Sequence, residues 1–139
     1  MADKITCFKL NWYDRGLSCI KDVLQEEITV YRNQNRMVYK EMNGYGVVCG
    51  CEIIHVENGK IQEFFAFIEN ICDEWDNNYF EEVCDGSEWK IRMWHSSHKV
   101  KTVYGTAEYP PHGKEIEKYI RSFLIDGKRI LDPKLFGCS

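Results

Sequence analysis

The sequence predicts an α+β domain: a mainly antiparallel sheet of about five to six strands, with two amphipathic helices packed on one face. Three observations carry this. Alternation of apolar and polar side chains dominates the first half and returns at Trp89–Trp94. Two later segments switch to helical spacing. The order, roughly β-ββ-β-α-ββ-α, groups strands ahead of helices, which favours antiparallel pairing. The 139 residues suit a single domain, 1–139, and no repeat or low-complexity linker interrupts them. A chain of this length buries a little under about 70% of its unfolded surface, enough for one core without staples.

Ile5–Trp12 sets Thr6, Phe8, Leu10 and Trp12 on one side, which makes a first strand. Tyr13-Asp14-Arg15-Gly16 reads as a turn, and residues 17–25 fit either a short helix or a loop. Glu27–Arg32 and Met37–Glu41 are strand-like, and Asn33-Gln34-Asn35 between them tolerates the left-handed backbone of a hairpin turn. After a second turn at Asn43-Gly44-Tyr45-Gly46, Val47–Val56 forms a strand expected to bury Val48, Ile53, Ile54 and Val56.

The first helix is carried by Ile61, Phe64, Phe65, Ile68, Ile71, Cys72 and Trp75 on one continuous face, with Asn58 as its expected N-cap. Glu63, Glu69, Asn70 and Asp73 are expected to face water. Asp76–Ser87 reads as an acidic loop. A hairpin follows, Trp89–Trp94 and Lys99–Tyr104 about a Ser96-Ser97-His98 turn, and Gly105 ends it. Tyr109-Pro110-Pro111-His112-Gly113 suits a helix approach, and Ile116, Tyr119, Ile120, Phe123 and Leu124 line the second helix. Asp126-Gly127 stops it, and Leu131, Leu135 and Phe136 of the tail are expected to pack back on the domain.

Composition narrows the function classes. At 44% hydrophobic and 14% aromatic residues, the chain is not of the disordered kind. No apolar run is long enough for a membrane helix, and no lipidation pattern ends the chain. The seven cysteines are an odd number, and Met1-Ala2-Asp3-Lys4 leads into a strand without a secretory h-region. The expectation is a soluble, cytoplasmic protein with free thiols. The net charge of −4 is unevenly spread. Residues 1–60 are neutral overall, residues 61–88 hold nine acids and no Lys or Arg, and residues 89–139 are net basic by five. Such a dipolar chain can steer a charged partner.

No catalytic constellation stands out. Cys49-Gly50-Cys51 and His95-Ser96-Ser97-His98 invite a zinc reading, but zinc needs four converging ligands. The two cysteines are expected on opposite strand faces and only the histidines converge, so no metal or other cofactor is expected. Cys84 lies beside Asp85 in an acidic loop that opposes thiolate formation. Asp85 and Glu88 with His95 would form an acid–base group, but no oxyanion hole or phosphate loop accompanies them. A metal- or thiol-dependent enzyme is therefore the third-ranked reading.

Two binding surfaces remain. Asp73, Glu74, Trp75, Asp76, Tyr79, Glu81 and Glu82 mix carboxylates with rings, and anchors ringed by charge suit a protein partner with a basic surface. Such carboxylates can also imitate a phosphate run and occupy the groove of a nucleic-acid enzyme. The alternative surface is Lys90, Arg92 and Trp94 on one strand face with Lys99 and Lys101 across the hairpin, which suits phosphate contact plus base stacking on a single strand.

The run Trp75-Asp76-Asn77-Asn78-Tyr79, then Val83-Cys84-Asp85-Gly86, Trp89, Gly105 and Tyr109-Pro110 resembles a pattern in a family of small α+β proteins from Gram-positive bacteria and their mobile elements. The resemblance covers roughly residues 26–125. It implies a Trp opening a hairpin strand and a Gly…Tyr-Pro entry to the last helix, and it implies no catalytic residues. It also makes a phage or mobile-element role the expectation, which is an argument by association. The leading expectation is a non-enzymatic protein-binding module, an inhibitor or regulator of anti-defence (anti-CRISPR-like) type, acting through the acidic–aromatic segment.

Overall fold

A computed structural model describes residues 3–14, 23–76, 78–79, 87–106 and 111–125. Four strands open the chain: β1 (Ile5–Asp14), β2 (Val23–Tyr31), β3 (Arg36–Asn43) and β4 (Val48–His55). Helix α1 (Asn58–Ile71) follows and ends in a 3-10 turn at Cys72–Glu74. The two-residue β5 (Asn78–Tyr79), the hairpin β6 (Ser87–His95) and β7 (Val100–Thr106), and α2 (Gly113–Ile125) complete it. The strand order is β4-β3-β2-β1-β6-β7-β5. All six long strands pair antiparallel, and only β5 runs parallel to its neighbour. The expected α+β fold is therefore the observed one, with the short β5 added.

Alternation decides which side of the sheet is dry. Phe8, Leu10 and Trp12 of β1, Ile28 and Val30 of β2, Met37 and Tyr39 of β3, and Trp89, Ile91 and Met93 of β6 are buried on one face. Ile61, Phe64, Phe65 and Ile68 of α1 and Ile116, Ile120 and Phe123 of α2 join the same core. Phe64 is the joint between the layers. Its ring meets Phe8 at 5.2 Å, Phe65 at 5.4 Å, Tyr119 at 5.8 Å and Phe123 at 5.6 Å, each edge to face.

Several expectations are corrected. Ile5 is buried and Thr6 is not, because a register shift against β6 between Ile5 and Cys7 resets the alternation. Val48 and Ile53 are exposed, since β4 is an edge strand and only Ile54 and Val56 turn inward. Glu57 precedes α1 as its cap residue and its carbonyl accepts from Ile61 N at 3.1 Å, so Asn58 lies inside the first turn. Glu69 does not face water alone. Its Oε2 accepts from Ile5 N and Arg32 Nη1, each at 2.9 Å, and ties α1 to the sheet. Of residues 17–25, expected as helix or loop, 23–25 are instead the start of β2, where they pair with β3. Residues 15–22, 77, 80–86, 107–110 and 126–139 lie outside the described residues, and with them most of the acidic loop and the whole tail. No helix among the described residues is long and apolar enough to cross a membrane.

Candidate nucleic-acid interface

Both helices pack on one side, and no described element covers the other. Register assembles that open face row by row. His55, Arg36, Tyr31, Cys7 and Trp94 form one row across β4, β3, β2, β1 and β6. Ile53, Val38, Thr29, Lys9, Arg92 and Thr102 form the next, running on to β7. Cys51, Lys40, Glu27, Asn11, Lys90 and Tyr104 form the third. Opposite residues in such rows have Cβ atoms about 5 Å apart, so they act as one surface.

The face is basic and aromatic. Lys9, Arg36, Lys40, Lys90 and Arg92 share it with the acids Glu27 and Glu88. Lys9 Nζ pairs with Glu27 Oε1 at 2.8 Å and lies 5.7 Å from the Trp94 ring centroid. The Arg36 guanidinium lies 5.2 Å from the Tyr31 ring centroid, and its Nε is buried with no hydrogen-bond partner among the described residues. Lys40, Lys90 and Arg92 form no ion pair among the described residues. Burial of donors and cations without partners is costly unless a ligand completes them.

Of the residues expected from sequence, Lys90, Arg92 and Trp94 come together half-buried on this face. Lys101 does not join them. It pairs with Met93, so it points to the helix side, where its Nζ donates to the Cys72 carbonyl. Lys99 is exposed in the turn before β7. The sequence reading missed Lys9, Tyr31, Arg36 and Lys40. Alternation within β1, β2 and β3 carried the signal, since each of these residues neighbours a core residue in its strand.

The acidic surface is only partly as expected. Asp73, Glu74 and Asp76 are exposed. Trp75 is not an anchor for a partner: it is 4% exposed, and its Nε1 donates to the Pro111 carbonyl at 2.8 Å. Its position one helical repeat beyond Ile71 and Cys72 turns it into the core. Glu74 Oε2 sits 2.6 Å from His112 Nε2, which ties this turn to the start of α2. Tyr79 contributes backbone pairing with Gly105, and Glu81 and Glu82 lie outside the described residues, as do Cys84 and Asp85.

The metal and thiol candidates are dispersed. Residues two apart in a regular strand share a face, so the spacing of Cys49 and Cys51 does not give the expected opposite faces; Cys51 pairs with Lys40, while Cys49 sits at the register shift against β3 and its Sγ donates to the Glu41 carbonyl at 3.4 Å. Both are exposed. His98 is exposed with φ of 70°, whereas the His95 Nδ1 lies 3.1 Å from Asp3 Oδ2. Among the described residues no three His, Cys, Asp or Glu side chains converge to hold a metal. Burial pushes the Cys7 thiol up, with nearby Lys9 opposing it. Burial and then the Asp73 charge raise the Cys72 thiol. Neither is a poised nucleophile.

At the far end of the helix-side face, the Tyr39 hydroxyl reaches two carboxylates, Glu26 and Glu41, the latter at 2.9 Å. Tyr39 and Glu26 are buried. Burial first, then the hydrogen bonds and charges of Glu26 and Glu41, hold the phenol far above its ordinary range. This is a buried hydrogen-bonded cluster of β2 and β3 on the helix side of the sheet. A scan against protein-family models finds no match for the chain, and a search of curated proteins finds none either.

Proposed function

We propose that the protein binds single-stranded nucleic acid on the open face of its sheet, without catalysing a reaction. The observation that carries this reading is the row-by-row convergence of Lys9, Lys90, Arg92 and Arg36 with the rings of Trp94 and Tyr31. Cations spaced along strands neutralise phosphates, and half-buried rings stack bases of any sequence. Part of the negative charge lies away from the open face. Glu57 and Glu63 belong to α1 and the residue before it, and α1 packs on the other side of the sheet. Titrating labelled oligothymidylate and oligouridylate by fluorescence anisotropy at low salt tests the reading. Saturable binding that weakens with salt supports it, and flat curves for both reject it.

A second reading is favoured by the contiguous exposure of Asp73, Glu74 and Asp76. A basic protein surface would dock there by charge alone, as an inhibitor carried by a phage or mobile element would. Reversing Asp73 and Asp76 to Lys should abolish that capture, and unchanged capture rejects it. Cytoplasmic placement is part of both readings, supported by free Cys7, Cys49, Cys51 and Cys72.

A further inference from the structure

A cleft of about 760 Å³ runs along the outer edge of β7. His95, Lys99, Lys101, Thr102 and Tyr104 line it. We infer that this cleft is a phosphate subsite, which receives a phosphate of the strand as it leaves the open face across β7. The partner named here rests on the nucleic-acid reading; the phosphate chemistry stands apart from it.

Four features point to an anion. Lys99 is exposed and has no ion-pair partner among the described residues. His95 lines the cleft, and its Nδ1, although 3.1 Å from Asp3 Oδ2, is buried with no hydrogen-bond partner among the described residues. Strand β5 pairs only with Tyr104 and Gly105, so the outward amides between Val100 and Val103 have no strand partner among the described residues. The cleft is also continuous with the basic face, since Thr102 is opposite Arg92 and Tyr104 is opposite Lys90.

Asp3 and Asp73 also line the cleft, yet they do not make it a cation site. The Asp3 carboxylate already accepts from Ser96 Oγ at 3.1 Å, Ser97 N at 3.1 Å and Ser97 Oγ at 3.0 Å. Desolvation acts to raise its pKa, but the Ser97 and Ser96 hydrogen bonds and nearby His95 outweigh it and hold the carboxyl below its usual range. Asp3 is thus already taken up by the Ser96–Ser97 turn. Asp73 Oδ1 faces the Cys72 thiol at 3.9 Å.

The test is an amide and imidazole chemical-shift titration of the full chain with inorganic phosphate, at constant ionic strength, with chloride as control. Saturable shifts at Lys99, Lys101, Thr102 and His95 are expected with phosphate alone. Lys99→Gln, a change in an exposed turn, should weaken phosphate about fivefold to tenfold, as loss of one charge-assisted contact does. It should weaken oligothymidylate severalfold. Phosphate binding without oligonucleotide binding overturns the nucleic-acid reading and keeps the subsite. Oligonucleotide binding unchanged by Lys99→Gln, with no phosphate-specific shift, overturns the subsite and keeps the reading. Identical shifts in chloride overturn it as well.

Discussion

The ammonium of Lys9 lies 5.7 Å from the centroid of the Trp94 ring, a contact between β1 and β6. The two residues are far apart in sequence, and the sheet register makes them diagonal neighbours. The Trp94 ring is half-buried, while Trp12, Trp75 and Trp89 are in the core. An incoming base therefore has one indole to stack on. Trp94→Ala should cost about 1–3 kcal/mol of single-strand affinity, measured by anisotropy. Intrinsic fluorescence of the parent should quench on binding, and Trp94→Phe should remove that quench. Quenching that persists in Trp94→Phe contradicts the assignment.

Ionic contacts should make the affinity fall with salt. For single strands the slope of log K against log salt is about −0.7 per phosphate contact. Arg92→Glu should flatten the slope by at least one contact and lower affinity at every salt concentration. An unchanged slope in that variant places the phosphates elsewhere.

Local pattern revealed the elements and half of the surface. The face Ile61, Phe64, Phe65, Ile68 needs only the helical period, and Trp89, Ile91, Met93 only the strand period, so both were legible. The open face was not, because Lys9, Tyr31, Arg36 and Lys40 join Lys90, Arg92 and Trp94 only through the order β3-β2-β1-β6. Lys101 was misplaced because the hairpin register sets it opposite Met93 rather than Arg92. Trp75 was read both as helix face and as exposed anchor. Burial won, since its ring completes the apolar stripe and its N–H finds Pro111.

Phe64 joins the sheet, α1 and α2 through ring contacts with Phe8, Tyr119 and Phe123. Phe64→Ala should destabilise the domain by about 3–5 kcal/mol through lost burial and the cavity left behind. Urea denaturation measures it. Ala66→Ser, on the exposed side of α1, should change stability by less than about 0.5 kcal/mol.

The buried Tyr39 sets an alkaline limit. Its folded pKa is raised above the unfolded value of about 10, so the folded state holds the proton more tightly. That contribution is complete below pH about 10 and declines as pH rises above it. Tyr39→Phe should remove this alkaline decline. It should also lower stability near neutrality by about 1–3 kcal/mol, because Glu26 and Glu41 lose a donor. Stability profiles from pH 6 to 11 compare the two proteins.

Thiol reactivity should follow exposure. Cys49 and Cys51 are exposed on β4, whereas Cys7 and Cys72 are held back by burial. Peptide mapping after brief alkylation should find the first pair modified well before the second. Equal rates for all four contradict the assignment of faces.

The most direct measurement is an amide chemical-shift map of the protein titrated with oligothymidylate at low salt. The account predicts perturbations concentrated at Lys9, Tyr31, Arg36, Lys90, Arg92, Trp94 and Thr102, with α1 and α2 quiet. No perturbation, or perturbation confined to the helices and the Cys72–Asp76 turn, contradicts it.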